Sequence, residues 1–108
     1  MVKKKGRISE ADLLIPTLRI LAKQPNGRMT TSRLIVQLEA VLKPTGEDAE
    51  ILEGRHDTHF SQIVRNMVSH KEVEGNIIAE GFAIHTGARR GLEITEAGRL
   101  HLQHHDAK

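Results

Sequence analysis

Gly54-Arg55-His56-Asp57-Thr58-His59-Phe60-Ser61-Gln62-Ile63-Val64-Arg65-Asn66-Met67-Val68-Ser69-His70-Lys71 decides how the rest of the chain is read. At about 100° per residue, Phe60, Ile63, Val64, Met67 and Val68 fall on one stripe, at offsets i, i+3, i+4, i+7 and i+8. The spacing predicts an amphipathic helix over 54–71 lying on a core. Its other face carries Thr58, Gln62, Arg65 and Ser69, flanked by Arg55, His59 and Asn66, and none of these is acidic. Asp57 stands at the start, where a carboxylate caps backbone N–H groups. Thr, Gln, Arg, Asn and Ser are the side chains that read base edges in a DNA major groove. Solvated helix faces are polar as well, so the surrounding chain has to decide between the two.

Upstream, Ser9 is the expected N-cap of a first helix, with Glu10 and Asp12 in its first turn. Leu14, Leu18, Leu21 and Ala22 make its apolar stripe, widened by Leu13, Ile15 and Ile20. Pro16 leaves two readings: a kink in that helix, or a true start close to the proline, where the first turn tolerates it. Gln24-Pro25-Asn26-Gly27 is a turn. Arg28-Met29-Thr30 has room only for a turn or a strand of two to three residues. Thr30 then caps a second helix, with Met29 packing on Leu34 as a staple. Leu34, Ile35, Leu38, Val41 and Leu42 follow helical offsets until Lys43-Pro44 stops the run. Thr45 to Gly54 reads as a short acidic helix.

Downstream the period changes. Asn76 to His85 is strand-like, interrupted at Glu80-Gly81, and Gly91 to Thr95 alternates cleanly. Between them Thr86-Gly87-Ala88-Arg89-Arg90 is a glycine-bounded hairpin connection carrying adjacent arginines. Thr95 caps a closing helix from Glu96 to about His104, with Leu100 expected on its buried side.

The bulk numbers narrow the field. With 108 residues the chain suits one domain with a modest core. Two Phe and no Trp or Tyr leave that core to Leu, Ile, Val, Met and Ala. The same scarcity argues against aromatic platforms for flipped bases or single strands. The absence of cysteine removes disulfides and thiolate metal sites. No apolar run approaches the roughly 18 residues of a membrane span, so no membrane partner and a cytoplasmic location are expected. The formal net charge is only +2, but its distribution is uneven. Glu47, Asp48, Glu50 and Glu53 crowd one segment, while Lys3, Lys4, Lys5 and Arg7 form a basic N-terminal arm over 1–8. Such separation lets one side of a domain face a polyanion.

Helices followed by an arginine-tipped hairpin and a closing helix give the expected fold class, α+β and mainly α. It is a winged helix-turn-helix over 9–105, with three to four helices, a C-terminal β-hairpin wing and the closing helix. There the helix before the hairpin enters the major groove and the wing reaches the backbone or minor groove. The candidate DNA-reading residues are Arg55, Thr58, His59, Gln62, Arg65, Asn66 and Ser69. Thr86, Arg89 and Arg90 are the wing contacts, and Lys4, Lys5, Arg28 and Arg33 are the candidate backbone contacts.

The chain also resembles the N-terminal winged-helix domain of Mrr-type restriction proteins, which restrict modified DNA. The resemblance runs from Leu14-Ile15-Pro16-Thr17-Leu18 through Gly46-Glu47-Asp48-Ala49-Glu50. It continues to Arg90-Gly91-Leu92-Glu93-Ile94-Thr95-Glu96-Ala97-Gly98-Arg99. The acidic segment is the more distinctive part, because the closing Ile-Thr-x-x-Gly-Arg pattern occurs in many winged helices. The resemblance implies a reader of modified, methylated double-stranded DNA that works with a nuclease domain. Nothing in these residues resembles a paired-acid-plus-lysine nuclease site, so that domain is expected elsewhere in a longer protein, and this module is expected to be a monomer or weak homodimer.

No catalytic site, metal or cofactor is expected. Ser61 and Ser69 lack an arranged base and oxyanion donors. Seven histidines are present, with His56 and His59 three apart and His101 near His104 and His105. Zinc wants three or four supported ligands, and no His-Glu-x-x-His pattern is found. The alternatives to a methyl reader are a dimeric winged-helix regulator of unmodified operator DNA and a winged helix used only for protein contact.

Overall fold

A computed structural model describes residues 9–42, 59–70, 72–86 and 91–107. The proposed acidic helix and the basic arm lie outside these residues. Within them the chain is α+β and mainly helical: α1 (Glu10–Ala22), β1 (Arg28–Thr30), α2 (Thr31–Leu42), α3 (His59–Ser69), β2 (Ala83–His85), β3 (Gly91–Ile94) and α4 (Glu96–Asp106).

The start of α1 is settled by a reciprocal cap. Asp12 N–H donates to Ser9 Oγ at 3.3 Å, and Ser9 N–H donates to Asp12 Oδ2 at 3.0 Å. Pro16 therefore lies inside the helix, and a start near the proline is ruled out. Lacking an N–H, Pro16 leaves the Asp12 carbonyl without its usual i+4 donor. The inward side of α1 is Leu13, Thr17, Leu18, Ile20 and Leu21, so the stripe is rotated from the expected one and Leu14 is only half-buried against the core. Thr17, fully buried, satisfies its hydroxyl by donating to Met67 Sδ at 3.8 Å.

Thr30 caps α2 as expected, with Arg33 N–H donating to Thr30 Oγ1 at 3.3 Å. Met29 and Leu34 both enter the core, together with Ile35 and Leu38. Val41 does not: it is 58% exposed, and Leu42 alone of that pair packs on the core. One 100° step separates the two positions, enough to carry Val41 past the edge of the buried stripe.

The three strands form one antiparallel sheet in the order β1-β3-β2. Met29 faces Leu92, and Ala83 faces Ile94, all four buried on the inner surface. Arg28, Glu93 and Ile84 form the row on the outer surface. Gly91 has no room for a side chain, since a Cβ there would stand 2.3 Å from the Met29 carbonyl oxygen.

The strand expected over 76–85 is confined to 83–85. Asn76 is the cause. Its Oδ1 accepts from the N–H of Ile78 at 2.7 Å and of Ala79 at 3.3 Å, so a local turn outcompetes the sheet. Its Nδ2 donates to the Met67 carbonyl at 2.7 Å, closing the C-terminal end of α3. Gly81, at φ +83, then reverses the chain into β2.

Thr95 caps α4 by accepting from Gly98 N–H at 3.0 Å while donating to the Gly81 carbonyl at 2.6 Å. Leu100 is 55% exposed, contrary to expectation. Gly98 is the residue pressed inward, 2.1 Å from the Phe82 carbonyl oxygen if given a Cβ. Two residues further on is about 200° around the helix, which turns Leu100 outward. His101 and Leu102 take the inner positions, His101 stacked on Phe82 with ring centroids 4.2 Å apart. A two-pronged Arg19–Asp106 pair, both contacts at 3.0 Å, fastens α1 to the last turn of α4.

Candidate nucleic-acid interface

Among the described helices, α3 carries the strongest division of faces. Phe60, Val64 and Met67 are buried, and Ile63 and Val68 pack against the same core, so all five stripe positions point inward. Ser61 is buried as well, on the shoulder of that stripe. Gln62, Arg65, Asn66 and Ser69 are left on the outer side, with Arg65 and Ser69 exposed and the two amides half-buried. Gln62 Nε2 donates to Asn66 Oδ1 at 2.9 Å, a contact between side chains one helical turn apart. His59 is the first residue of α3.

Thr86 pairs with Gly91 where β2 and β3 diverge. Its N–H donates to the Gly91 carbonyl at 3.0 Å, and its Oγ1 accepts from Gly91 N–H at 3.1 Å. The residue therefore closes the described end of the β2–β3 pairing. Arg55, Thr58, Arg89, Arg90, Lys4 and Lys5 lie outside the described residues.

Arg28 and Arg33, distant from Thr86 in sequence, meet it around one hollow of about 460 Å³, together with Gln24, Met29 and Thr30. Arg28 leans on Glu93 across the sheet at 3.6 Å, which neutralises part of its charge. Arg33, in the first turn of α2, has no ion-pair partner among the described residues. Positive side chain, helix N-terminus and the end of β2 thus converge on one concave surface, with no acid among the described residues of its lining.

A second hollow, of about 310 Å³, has the opposite character. Glu10, Leu14, Met67, His70, Glu74 and Asn76 are among its walls. His70 Nδ1 lies 2.9 Å from Glu10 Oε2, joining the end of α3 to the start of α1.

The sequence reading passed over Asn76, His70 and the Gln62–Asn66 contact. The last was accessible, because an amide pair four residues apart on a helix is a known spacing for such a bond. The Glu10–His70 contact bridges sixty positions and left no local signal.

Among the described residues, no group of three or more His, Asp or Glu side chains is placed to hold a metal ion. No described helix is long and apolar enough to cross a membrane. Comparison of the chain with protein-family models, with curated proteins and with solved structures returns no match.

Proposed function

We propose that this chain is a winged helix that binds double-stranded DNA, and that it is the methyl-reading module of an Mrr-type restriction protein. The observation that carries the proposal is α3. Its whole apolar stripe is consumed by the core, leaving an outer face of Gln62, Arg65, Asn66 and Ser69 with no acid on it. The element order supports the winged form: a short strand between the first two helices pairs with the second strand of a hairpin that directly follows α3. In a winged helix that arrangement presents α3 to the major groove and the hairpin tip, here with Arg89 and Arg90, to the backbone.

Roles divide by chemistry. Arg33, Arg28 and the first turn of α2 hold phosphates, as do Arg55, Lys4, Lys5 and the wing arginines, setting position without reading sequence. Gln62, Arg65 and Asn66 face base edges. A methyl group offers only a small apolar contact, for which the Thr58 methyl or the His59 ring is suited. With two Phe and no Trp or Tyr in the chain, the methyl is read in the stacked duplex and not on an extruded base. Cleavage belongs to a separate nuclease domain.

Fluorescence anisotropy on methylated and plain duplexes between 50 and 200 mM salt tests this. The expected result is tighter binding to the methylated duplex and an affinity that falls steeply with salt. Arg65→Ala is expected to weaken binding. Equal affinity for both duplexes would remove the methyl-reading part and leave an operator-type reader. Absence of duplex binding at the lowest salt would remove DNA binding altogether and favour a protein-contact domain.

A further inference from the structure

We propose that α3 reads guanine through Asn66, and that Gln62 is the positioning residue that sets which end of the Asn66 amide faces outward. The proposal rests on the DNA-binding reading above and adds to it a class of base.

An asparagine amide has an accepting end, Oδ1, and a donating end, Nδ2 with its two hydrogens. Which end faces a ligand is a choice the surroundings make. Here Gln62 Nε2 donates to Asn66 Oδ1 at 2.9 Å. The oxygen is thereby turned back along the helix toward residue 62, and the donating end is turned away. Among the described residues, Asn66 Nδ2 has no acceptor. The amide pair is half-buried, and Arg65, whose guanidinium carries only donors, is the exposed residue beside it.

The four bases differ at the edge such a group would meet. Guanine shows two neighbouring acceptors, N7 and O6. Adenine sets an N6 donor beside N7, cytosine shows a donor, and thymine a single acceptor beside a methyl. A donating end finds two acceptors on guanine, one acceptor crowded by a donor on adenine, and only a donor on cytosine. The usual asparagine–adenine pairing needs the amide oxygen turned to N6, and that oxygen is the atom Gln62 engages.

Selection of bound duplexes from a randomised pool tests this on the wild-type chain, on Gln62→Glu and on Asn66→Asp. Wild type is expected to enrich guanine at one position, by about five- to tenfold over the other bases. Replacing that guanine with 7-deazaguanine is expected to cost roughly three- to tenfold in affinity. Gln62→Glu is the sharper change, since a carboxylate only accepts. Asn66 must then turn its Nδ2 toward residue 62 and its oxygen outward, and the enriched base moves from guanine to adenine or cytosine. Asn66→Asp loses the guanine preference by presenting acceptors directly. Circular dichroism and a melting curve check that each surface variant folds. Should a variant bind no duplex, the 7-deazaguanine substitution in the wild-type site decides alone. Unchanged guanine enrichment by Gln62→Glu, or wild-type binding without guanine enrichment, overturns the proposal while DNA binding stands. A wild-type chain that retains no duplex at low salt overturns the DNA-binding reading and this one with it.

Discussion

The two hollows of this small domain are built from similar material and carry opposite charge. One, about 460 Å³, is walled by β1, the first turn of α2 and the end of β2, with Arg28 and Arg33 in its lining. The other, about 310 Å³, is walled by the start of α1 and the segment following α3, with Glu10, Glu74 and His70. Both have a methionine and backbone turns in their walls, so shape and apolarity do not separate them. Sign does. A net charge of +2 describes neither hollow, since each presents a local field that the sum over the chain conceals. The difference teaches that the charge a surface presents is found by asking which side chains the fold brings together, not by counting them.

Five substitutions probe that contrast, in falling order of effect. Gly91→Ala strikes the strand pairing behind the basic hollow, because its Cβ would stand 2.3 Å from the carbonyl oxygen of Met29, a wall residue, and push β3 off β1. A loss of about 3 kcal/mol in urea unfolding is expected. Stability within error of wild type would show that the sheet gives way easily and does not define the hollow. Asn76→Ala strikes the wall of the acidic hollow, removing a buried donor to the Met67 carbonyl and an acceptor for Ile78 N–H. About 2 kcal/mol is expected to go, with amide exchange rising at the end of α3. An unchanged exchange pattern would detach Asn76 from the helix end.

The next two test the charge of each lining and leave the backbone of the walls in place. Arg33→Glu is expected to lower duplex affinity about tenfold at low salt and to flatten the salt dependence by about one unit of slope. Glu74→Gln is the matching control and is expected to stay within about twofold. Equal effects from the two would dissolve the distinction between the hollows. Smallest of all, Glu10→Gln breaks a half-exposed contact with His70 and is expected to cost under about 1 kcal/mol in thermal unfolding. A larger loss would make that contact a main fastening between α1 and α3.

Much of the local structure was legible in the residues. Ser9 was one of two starts left open for α1, while Thr30 announced α2 and Thr95 announced α4. The stripe from Phe60 to Val68 named every apolar inward position of α3 and missed only the buried Ser61. Each of these signals lies within two helical turns, where side chain and backbone meet whatever the rest of the chain does. The readings that went astray concerned competition. Asn76 to Phe82 has the apolar content of a strand, yet the Asn76 amide satisfies the same backbone groups locally. Leu100 and Val41 are apolar and helical, yet Gly98 and Leu42 hold the inner positions beside them.

The candidate interface divides in the same way. Its α3 half, Gln62, Arg65, Asn66 and Ser69, was visible as an acid-free face opposite an apolar stripe. The hollow that joins Arg28, Arg33 and Thr86 was not, although each residue was named. What the amino-acid sequence determined alone was the caps of α2 and α4, the inward apolar stripe of α3, and that charge is unevenly spread. Only the tertiary structure decided that β1 would pair with β3 across some sixty residues, with Arg28 opposite Glu93, and which charges would then share a surface. The physical reason is that a cap or a stripe is completed within a few residues of chain. A strand pairing or a charged hollow is stabilised only after distant segments have collapsed onto one core, and no local pattern records that choice.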